Sequence, residues 1–179
     1  TAAWREAGAD RYLLRFETTD RDLFARIHPG APRDGEHPRL AQLRRMKAQG
    51  YEIGGGMMLG LPGQTLESVA DDLLMLRELA VDMVGLGPYL AHPDTPLGRD
   101  PTPSEVPVSV DFTCRCYALA RLLLPRANIP STTALSTLDP EQGRLRGLAS
   151  GANVFMPNLT PAAYRADYQI YPDKICVVA

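Results

Sequence analysis

The chain has 179 residues, of which 45% are hydrophobic and 22% charged, the balance of an ordinary globular protein with a buried core. Its net charge is −2 and its basic residues are spread along the chain, which argues against a nucleic-acid partner. No apolar run approaches the roughly 20 residues of a membrane helix, so no membrane partner is predicted. The cysteines, Cys114, Cys116 and Cys176, make no disulfide framework and fit a cytoplasmic protein.

The first third of the chain alternates helical and strand patterns. The pattern predicts a helix end at 2–7, a strand at 11–17, a short helix at 20–27, a helix at 39–49 and a strand at 51–59. Gly50 supplies the C-terminal stop of the helix before the last of these strands.

The alternation continues after a Gly-Leu-Pro-Gly turn at 60–63. Thr65 is predicted to cap a helix, with Glu67 in its first turn. The apolar stripe of that helix consists of Leu66, Val69, Leu73, Leu76 and Leu79. Beyond it, the pattern predicts a strand at 82–87, a proline-rich loop at 88–107, a helix at 109–124, a strand at 129–134, a helix at 139–148 and a strand at 151–156.

Strands that alternate with helices indicate an α/β fold with a parallel sheet and right-handed crossovers. An open doubly wound sheet and a (β/α)8 barrel both fit this pattern. An open sheet requires a phosphate or dinucleotide loop after its first strand, and the residues at 15–18 form neither. A barrel takes about 250 residues. We therefore predict the C-terminal five βα units of a (β/α)8 barrel at 1–160, with three units before Thr1, and an irregular extension at 161–179.

The functional residues of such a barrel lie at the carboxyl ends of its strands. The candidates at these ends are Arg15, Glu17, Gly54, Gly55, Gly56, Met58, Thr132, Thr133 and Met156. A carboxylate there can accept hydrogen bonds from a ribose diol, and an arginine can hold an anion with two hydrogen bonds. Consecutive glycines in a strand indicate the close approach of a ligand or of another backbone. No Ser/His/Asp set and no metal-binding pattern occurs, so the predicted site binds a cofactor that performs the chemistry.

Each candidate also has a purely structural interpretation. Arg15 and Glu17 can form an ion pair on one strand face, and the glycines can serve helix–sheet packing. His92 fits a capping or surface histidine, and Met156 fits a core residue. The location of the candidates together at strand ends is what favours a functional site over these separate interpretations.

Six segments, taken together, resemble the HydE family of radical S-adenosylmethionine (SAM) enzymes, the maturases of FeFe-hydrogenase, which are related to biotin synthase. They are RYLLRFET at 11–18, GGGMMLGLPGQT at 54–65, DMVGLGP at 82–88, HPDTPL at 92–97, NIPSTTAL at 128–135 and GANVFMPN at 151–158. The GLPGQ motif is shared widely among radical SAM enzymes. The HPDTPL, TTAL and MPN motifs in this order are more specific to the HydE family.

The resemblance implies a role for each candidate. Arg15 and Glu17 would line the SAM and substrate region, with Glu17 near the ribose, and Arg39 would pair with the SAM carboxylate. The glycine strand, with Gly54, Gly55, Gly56 and Met58, would let the methionyl moiety lie against the backbone. Together with Arg15, the substrate cavity would be lined by Thr132, Thr133 and Met156.

The family reaction is the reductive cleavage of SAM by a 4Fe-4S cluster. The resulting 5′-deoxyadenosyl radical acts on a cysteine-bound iron carbonyl–cyanide precursor. The resemblance therefore implies a small iron–cysteine complex as substrate and hydrogenase maturation proteins as partners.

The Cys-x3-Cys-x2-Cys loop that binds the cluster in this family does not occur in the sequence and is expected before Thr1. The chain alone is therefore expected to be inactive. Cys176 resembles the first cysteine of a second, peripheral cluster site in some members. The alternatives are another biotin synthase-like enzyme such as a methylornithine synthase, a barrel enzyme without radical chemistry that uses Glu17 as an acid or base, and a binding fragment without activity.

Overall fold

The strands run parallel and lie side by side in the order of the chain. The structure is a computed structural model that describes residues 2–168 and 170–175. The strands β1 (Arg11–Leu13), β2 (Glu52–Leu59) and β3 (Met83–Pro88) pair in the order β1-β2-β3. Single parallel bridges from Met83 to Asn128 and from Pro130 to Val154 continue this order. A doubly wound sheet reverses its order at a switch point, whereas a barrel wall does not. The observed order is therefore that of a barrel wall.

Helices follow the strands and cover the outer face of the sheet. They are α1 (Ala2–Glu6), α2 (Arg21–Ile27), α3 (Pro38–Ala48), α4 (Leu66–Glu78), α5 (Val110–Leu123), α6 (Thr133–Leu138) and α7 (Gly143–Ala149). The helices α3 and α4 contact β2, and α5 contacts β3 and α7. Short 3-10 turns occur at Leu97–Arg99 and Ala162–Tyr168. Within the described residues, none of these helices combines the length and the apolar character needed to cross a bilayer.

The predicted start and stop signals of the helices are confirmed. The Thr65 side chain accepts a hydrogen bond from the Ser68 amide and so caps α4. Gly50 follows the end of α3 with a φ of +79°, a left-handed conformation that glycine adopts without strain. The predicted stripe of α4 is buried except for Leu66, which is 51% exposed because it is the first helical residue.

The predicted fourth and fifth strands are reduced to isolated bridges. Pro130 has no N–H group to donate, and Thr132 already caps α6, so strand pairing within the predicted range 129–134 is limited to Pro130. In the predicted fifth strand, the amides of Asn153 and Val154 both donate to the Ile129 carbonyl, and only Val154 keeps strand pairing. The prediction of full strands at 129–134 and 151–156 is therefore wrong, although the parallel order predicted for them is correct.

The core lies between the outer face of the sheet and the helices. Its fully buried members include Phe16, Leu43, Met46, Ile53, Met57, Leu76, Leu86, Tyr117 and Ile129. Burying one such side chain stabilises the fold by about 1.5–3 kcal/mol. The core therefore fixes the outer face of the sheet and leaves the opposite face for other contacts.

The backbone of β3 leaves no room for a side chain at Gly56 of β2. A Cβ atom on Gly56 would lie 2.1 Å from the carbonyl oxygen of Gly85, its partner in the ladder. A Cβ atom on Gly85 would lie no closer than 3.7 Å to any neighbour, which is an ordinary contact distance. Only Gly56 is therefore required to lack a side chain at this point.

We expect Gly56→Ala to lower the free energy of unfolding by about 1–3 kcal/mol, because the new methyl group must displace backbone rather than a flexible side chain. Gly85→Ala is the matched control and should cost less than about 1 kcal/mol. Denaturant unfolding of the two variants checks this. Equal losses in both variants would contradict the close approach.

Candidate functional site

Glu17 stands at the carboxyl end of the sheet in a strained backbone conformation. Its amide donates to the Gly56 carbonyl at 3.0 Å, and its own carbonyl accepts from the Met58 amide at 3.1 Å. Its φ is +72°, in the left-handed region, which costs a residue with a side chain on the order of 1 kcal/mol. Strain of this kind is retained where the surrounding contacts enforce it, and it is frequent at functional sites.

Two arginines converge on the Glu17 carboxylate. Arg15 Nη2 lies 3.2 Å from Oε2, and Arg39 Nη1 lies 3.6 Å from Oε1. The ion pair predicted between Arg15 and Glu17 is therefore present. Arg15 Nη2 also donates to the Met57 carbonyl at 2.7 Å, and Arg39 Nη1 donates to the Arg15 carbonyl at 2.6 Å. With two cations and one anion, the cluster has one positive charge in excess and can accept a further carboxylate.

Two polar atoms of the cluster form no hydrogen bond within the described residues, although Glu17 Oε2 is ion-paired with Arg15. Glu17 Oε2 and Arg15 Nε are buried, and neither has a hydrogen-bond partner among the described residues. Burial raises the pKa of Glu17, against the opposing effect of Arg15 and Arg39. A ligand that offers a hydroxyl donor to the carboxylate and an acceptor to the guanidinium would satisfy both atoms.

His28 holds the Arg39 guanidinium in place. Its Nε2 atom lies 2.6 Å from Arg39 Nη2, and its Nδ1 atom lies 3.3 Å from the Phe24 carbonyl. Since a guanidinium only donates, Nε2 must accept and Nδ1 must carry the proton, so the ring is neutral. Burial and the charge of Arg39 lower the pKa of His28 accordingly. The ring stacks on Phe24 with the centroids 4.3 Å apart.

His37 links the start of α3 to the segment after β1. Its Nδ1 atom accepts from the Leu40 amide at 3.4 Å and its Nε2–H donates to the Thr18 carbonyl at 3.1 Å, which again requires a neutral ring. Burial and the charge of Arg21 lower the pKa of His37 to about 4. The sequence contained a signal for this role, because a residue directly before Pro38 at a helix start is in the capping position.

Asp72 is a fully buried carboxyl group on the sheet side of α4. Its Oδ1 atom accepts from the Thr19 amide at 2.5 Å and from the Thr19 hydroxyl at 2.7 Å. Burial raises the pKa of Asp72 to about 7, although the hydrogen bonds from Thr19 oppose this shift. The sequence indicates a buried carboxyl group here, because Asp72 lies between Val69 and Leu73 in an otherwise apolar helix stripe.

The three glycines of β2 face different neighbours. Gly54 and Gly56 lie on the inner face of the sheet, against the side chains of Leu13 and Arg15, respectively. Gly55 lies on the outer face, where an added Cβ would meet the side chain of Leu76 at 3.1 Å. Gly55 therefore serves helix–sheet packing, and Gly56 provides the surface over which Arg15 lies. That these glycines and the half-buried Met58 contact a ligand stays a prediction.

The three predicted substrate residues, Thr132, Thr133 and Met156, lie in different environments. Thr132 lies against Gly87, at the end of β3, and its hydroxyl hydrogen-bonds Tyr117 at 3.2 Å while capping α6. Thr133 is the first residue of α6 and is half-buried. Met156 is 49% exposed. Their role as substrate contacts stays a prediction.

The GLPGQ motif forms a turn that is organised by Gln64. The Gln64 Oε1 atom accepts from the amides of Gly60 at 2.7 Å and Leu61 at 3.1 Å, and its Nε2 donates to the Met58 carbonyl at 2.9 Å. Gly60 and Gly63 both have positive φ, which explains glycine at both positions. The turn therefore fixes the end of β2 next to the charged cluster.

The described residues include no group of three or more His, Cys, Asp or Glu side chains that could hold a metal ion. Cys114 and Cys116 are free and buried in α5, and burial raises the pKa of Cys116 to about 12. Residues two positions apart on a helix do not face each other, so these two thiols do not converge on one cluster. Cys176 lies outside the described residues.

Comparisons with known proteins agree with this fold. No family model matches the chain. In solved structures, the chain resembles the crystal structure of HydG, a maturase of the FeFe-hydrogenase, with a TM-score of 0.67 and 16% identity over 87% of this chain and 34% of that one. HydG from Carboxydothermus hydrogenoformans gives a TM-score of 0.65 at 20% identity, over 87% of this chain and 36% of that one. At such low identity, these two likenesses support the fold alone.

Curated relatives show a closer relationship in sequence. The chain is 50% identical to the FeFe-hydrogenase maturase subunit HydE of Thermotoga maritima over 174 residues, which are 97% of this chain and 47% of that protein. It is 31% identical to 3-methylornithine synthase of Methanosarcina acetivorans over 84% of this chain and 39% of that protein. The chain thus spans less than half the length of these relatives.

The parallel barrel wall and these relatives place the chain in the biotin synthase-like group of radical SAM barrel proteins. Within that group, the chain belongs to the HydE family.

We expect Asp72 to make stability depend on pH. Its pKa is raised from a usual value of 3.8 to about 7, so the folded state holds a proton that the unfolded state releases between these values. The contribution of Asp72 to stability should therefore fall as pH rises from about 4 to about 7, by roughly 2–4 kcal/mol in total. The contribution of His37 has the opposite sign over a similar range, because its pKa is lowered to about 4. In urea unfolding, the stability difference between the wild type and Asp72→Asn should change with pH by the amount expected for Asp72, whereas Asp71→Asn, at an exposed position of the same helix, should follow the wild-type pH dependence. A slope unchanged in Asp72→Asn would contradict the assignment.

Proposed function

We propose that this chain forms the SAM-binding wall of a HydE-type radical SAM maturase. The observation that carries the proposal is the cluster of Arg15, Glu17 and Arg39 at the carboxyl end of the sheet. The cluster has an excess positive charge and two buried polar atoms without hydrogen-bond partners among the described residues. SAM offers a carboxylate to the arginines and ribose hydroxyls to the glutamate, so the residues present fit this cofactor.

Arg39 is proposed to bind the carboxylate of SAM. Its guanidinium has five N–H donors, and it is already held by the Arg15 carbonyl and by His28. The remaining donors can form a two-pronged contact with a carboxylate without reorientation of the side chain. Glu17 would accept the hydrogen bonds of the ribose diol, and the backbone of the Gly54–Gly56 run would lie beside the methionyl moiety.

SAM supplies a 5′-deoxyadenosyl radical when it is bound beside a reduced 4Fe-4S cluster. The described residues do not provide the cluster's three thiolates, so we propose that its ligands lie outside this chain and that the chain alone is inactive.

The proposed substrate is a small cysteine-bound iron carbonyl–cyanide complex, contacted by Thr132, Thr133 and Met156. Its proposed partners are other hydrogenase maturation proteins in the cytoplasm. The identity of 50% to HydE, against 31% to 3-methylornithine synthase, supports this substrate class.

SAM affinity tests the assignment of the site. In the full-length protein, Glu17→Ala and Arg39→Ala should each weaken SAM binding about tenfold or more, because each removes a charge-assisted contact. Arg44→Ala is the matched control, since Arg44 lies on the same helix but is exposed and pairs with Glu36 and Glu78. Isothermal titration calorimetry gives the dissociation constants. Unchanged affinity in both site variants would refute the assignment.

Product formation tests the reaction class. The anaerobically reconstituted full-length protein should contain an oxygen-sensitive brown cluster and should form 5′-deoxyadenosine from SAM and a reductant. A cysteine-bound iron carbonyl–cyanide complex should be consumed in step with this product. Chromatographic quantification of 5′-deoxyadenosine provides the measurement. Formation of the product without consumption of the iron complex would refute the substrate and retain the radical class.

A further inference from the structure

The segment that follows Glu17 is clamped between two helices. From α3, His37 Nε2 donates to the Thr18 carbonyl at 3.1 Å. From α4, Asp72 Oδ1 accepts from both the amide and the hydroxyl of Thr19, at 2.5 and 2.7 Å. The peptide between Thr18 and Thr19 is therefore held at its carbonyl by one helix and at its N–H by the other.

This clamp acts on the residue with the strained backbone. Glu17 is joined to β2 by its own amide and carbonyl, and its φ of +72° turns the chain sharply at this point. A strained conformation persists only where the neighbouring contacts determine it more strongly than the local preference opposes it. The hydrogen bonds to β2 fix the amide and the carbonyl of Glu17, and the clamp fixes the next peptide of the chain that leaves it.

Asp72 forms these hydrogen bonds from a buried position in the core, where a carboxyl group loses its hydration. It lies in the buried stripe of α4 next to Val69 and Leu73, where an apolar side chain would avoid the cost of desolvation. It forms no ion pair among the described residues. Its hydrogen bonds with Thr19 hold the segment that follows Glu17 and leaves the proposed SAM site.

We propose that Asp72 is a positioning residue for the SAM site. By holding Thr19, it keeps Glu17 in its left-handed conformation and keeps the Glu17 carboxylate against Arg15 and Arg39. Asp72 does not touch the cofactor in this proposal and acts through Glu17. The inference rests on the proposed function for the role of Glu17 in binding SAM.

The structural half of the proposal is tested without SAM. In the full-length protein, Asp72→Ala should raise the hydrogen-exchange rate of the Thr19 amide about tenfold or more, because the amide loses its acceptor. Asp72→Asn keeps the Oδ1 acceptor and should stay within about threefold of the wild-type rate. Asp71→Ala, one residue away and exposed, should leave the rate unchanged. An unchanged rate in Asp72→Ala would overturn the clamp.

The functional half is tested by a double-mutant cycle on SAM affinity. Asp72→Ala should weaken SAM binding about tenfold in the wild-type background and less than about twofold in the Glu17→Ala background, because its effect passes through Glu17. An equal loss in both backgrounds would show a general structural role and overturn the proposal. If Glu17→Ala alone leaves SAM affinity unchanged, the SAM role of Glu17 fails, and with it the functional half. The exchange result for Thr19 still decides the clamp.

Thr19→Val provides a second route if Asp72→Ala does not fold. It removes the hydroxyl and keeps the amide, so only one of the two bonds to Asp72 is lost. We expect about a threefold weakening of SAM binding, again abolished in the Glu17→Ala background. A Thr19→Val protein that binds SAM like the wild type would overturn the proposal.

Discussion

The close approach of two strands at Gly56 is the constraint on which the charged site depends. Because Gly56 carries no side chain, the aliphatic part of Arg15 can lie over this position and beside Gly85. From this position its guanidinium reaches the Met57 carbonyl and Glu17. A buried carboxylate without such a partner costs several kcal/mol. The glycines on the inner face thus stabilise a charge that would otherwise destabilise the fold.

The polar groups around this charge form a rigid arrangement. His28 and His37 are both neutral, so each ring donates with one nitrogen and accepts with the other. Arg39 is fixed by His28 and by the Arg15 carbonyl, and its charge is retained for a ligand. Groups held in this way need little reorganisation when a ligand binds, which increases the fraction of the interaction energy that appears as affinity.

Much of the fold follows from the sequence, because local signals and tertiary contacts agree there. The Thr65 cap, the stop at Gly50 and the period of α4 place their elements correctly. The strand patterns near Ile129 and Val154 are misleading, because pairing there is decided by a proline without an N–H group and by a helix cap at Thr132. These effects depend on neighbouring segments and override local β propensity.

The candidate site is accessible to sequence analysis only in part. The rule that functional residues lie at the carboxyl ends of barrel strands identifies Arg15 and Glu17 directly from the sequence. The contributions of His28, His37 and Asp72 depend on contacts between residues up to 53 positions apart, which periodicity does not reveal. Gly55 illustrates the same limit, because a run of glycines does not indicate which member faces a helix and which faces the inner surface.

The strand order has a consequence for how the chain assembles. Within the described residues, each strand position pairs with its immediate predecessor or successor along the chain, so these pairings do not wait for a distant segment. A growing polypeptide can therefore dock each new βα unit on the preceding one as it leaves the ribosome. The chain segments between successive strands are short compared with the whole chain, so each pairing closes a short loop at a small cost in entropy. The wall of this barrel is thus suited to assembly during its own synthesis.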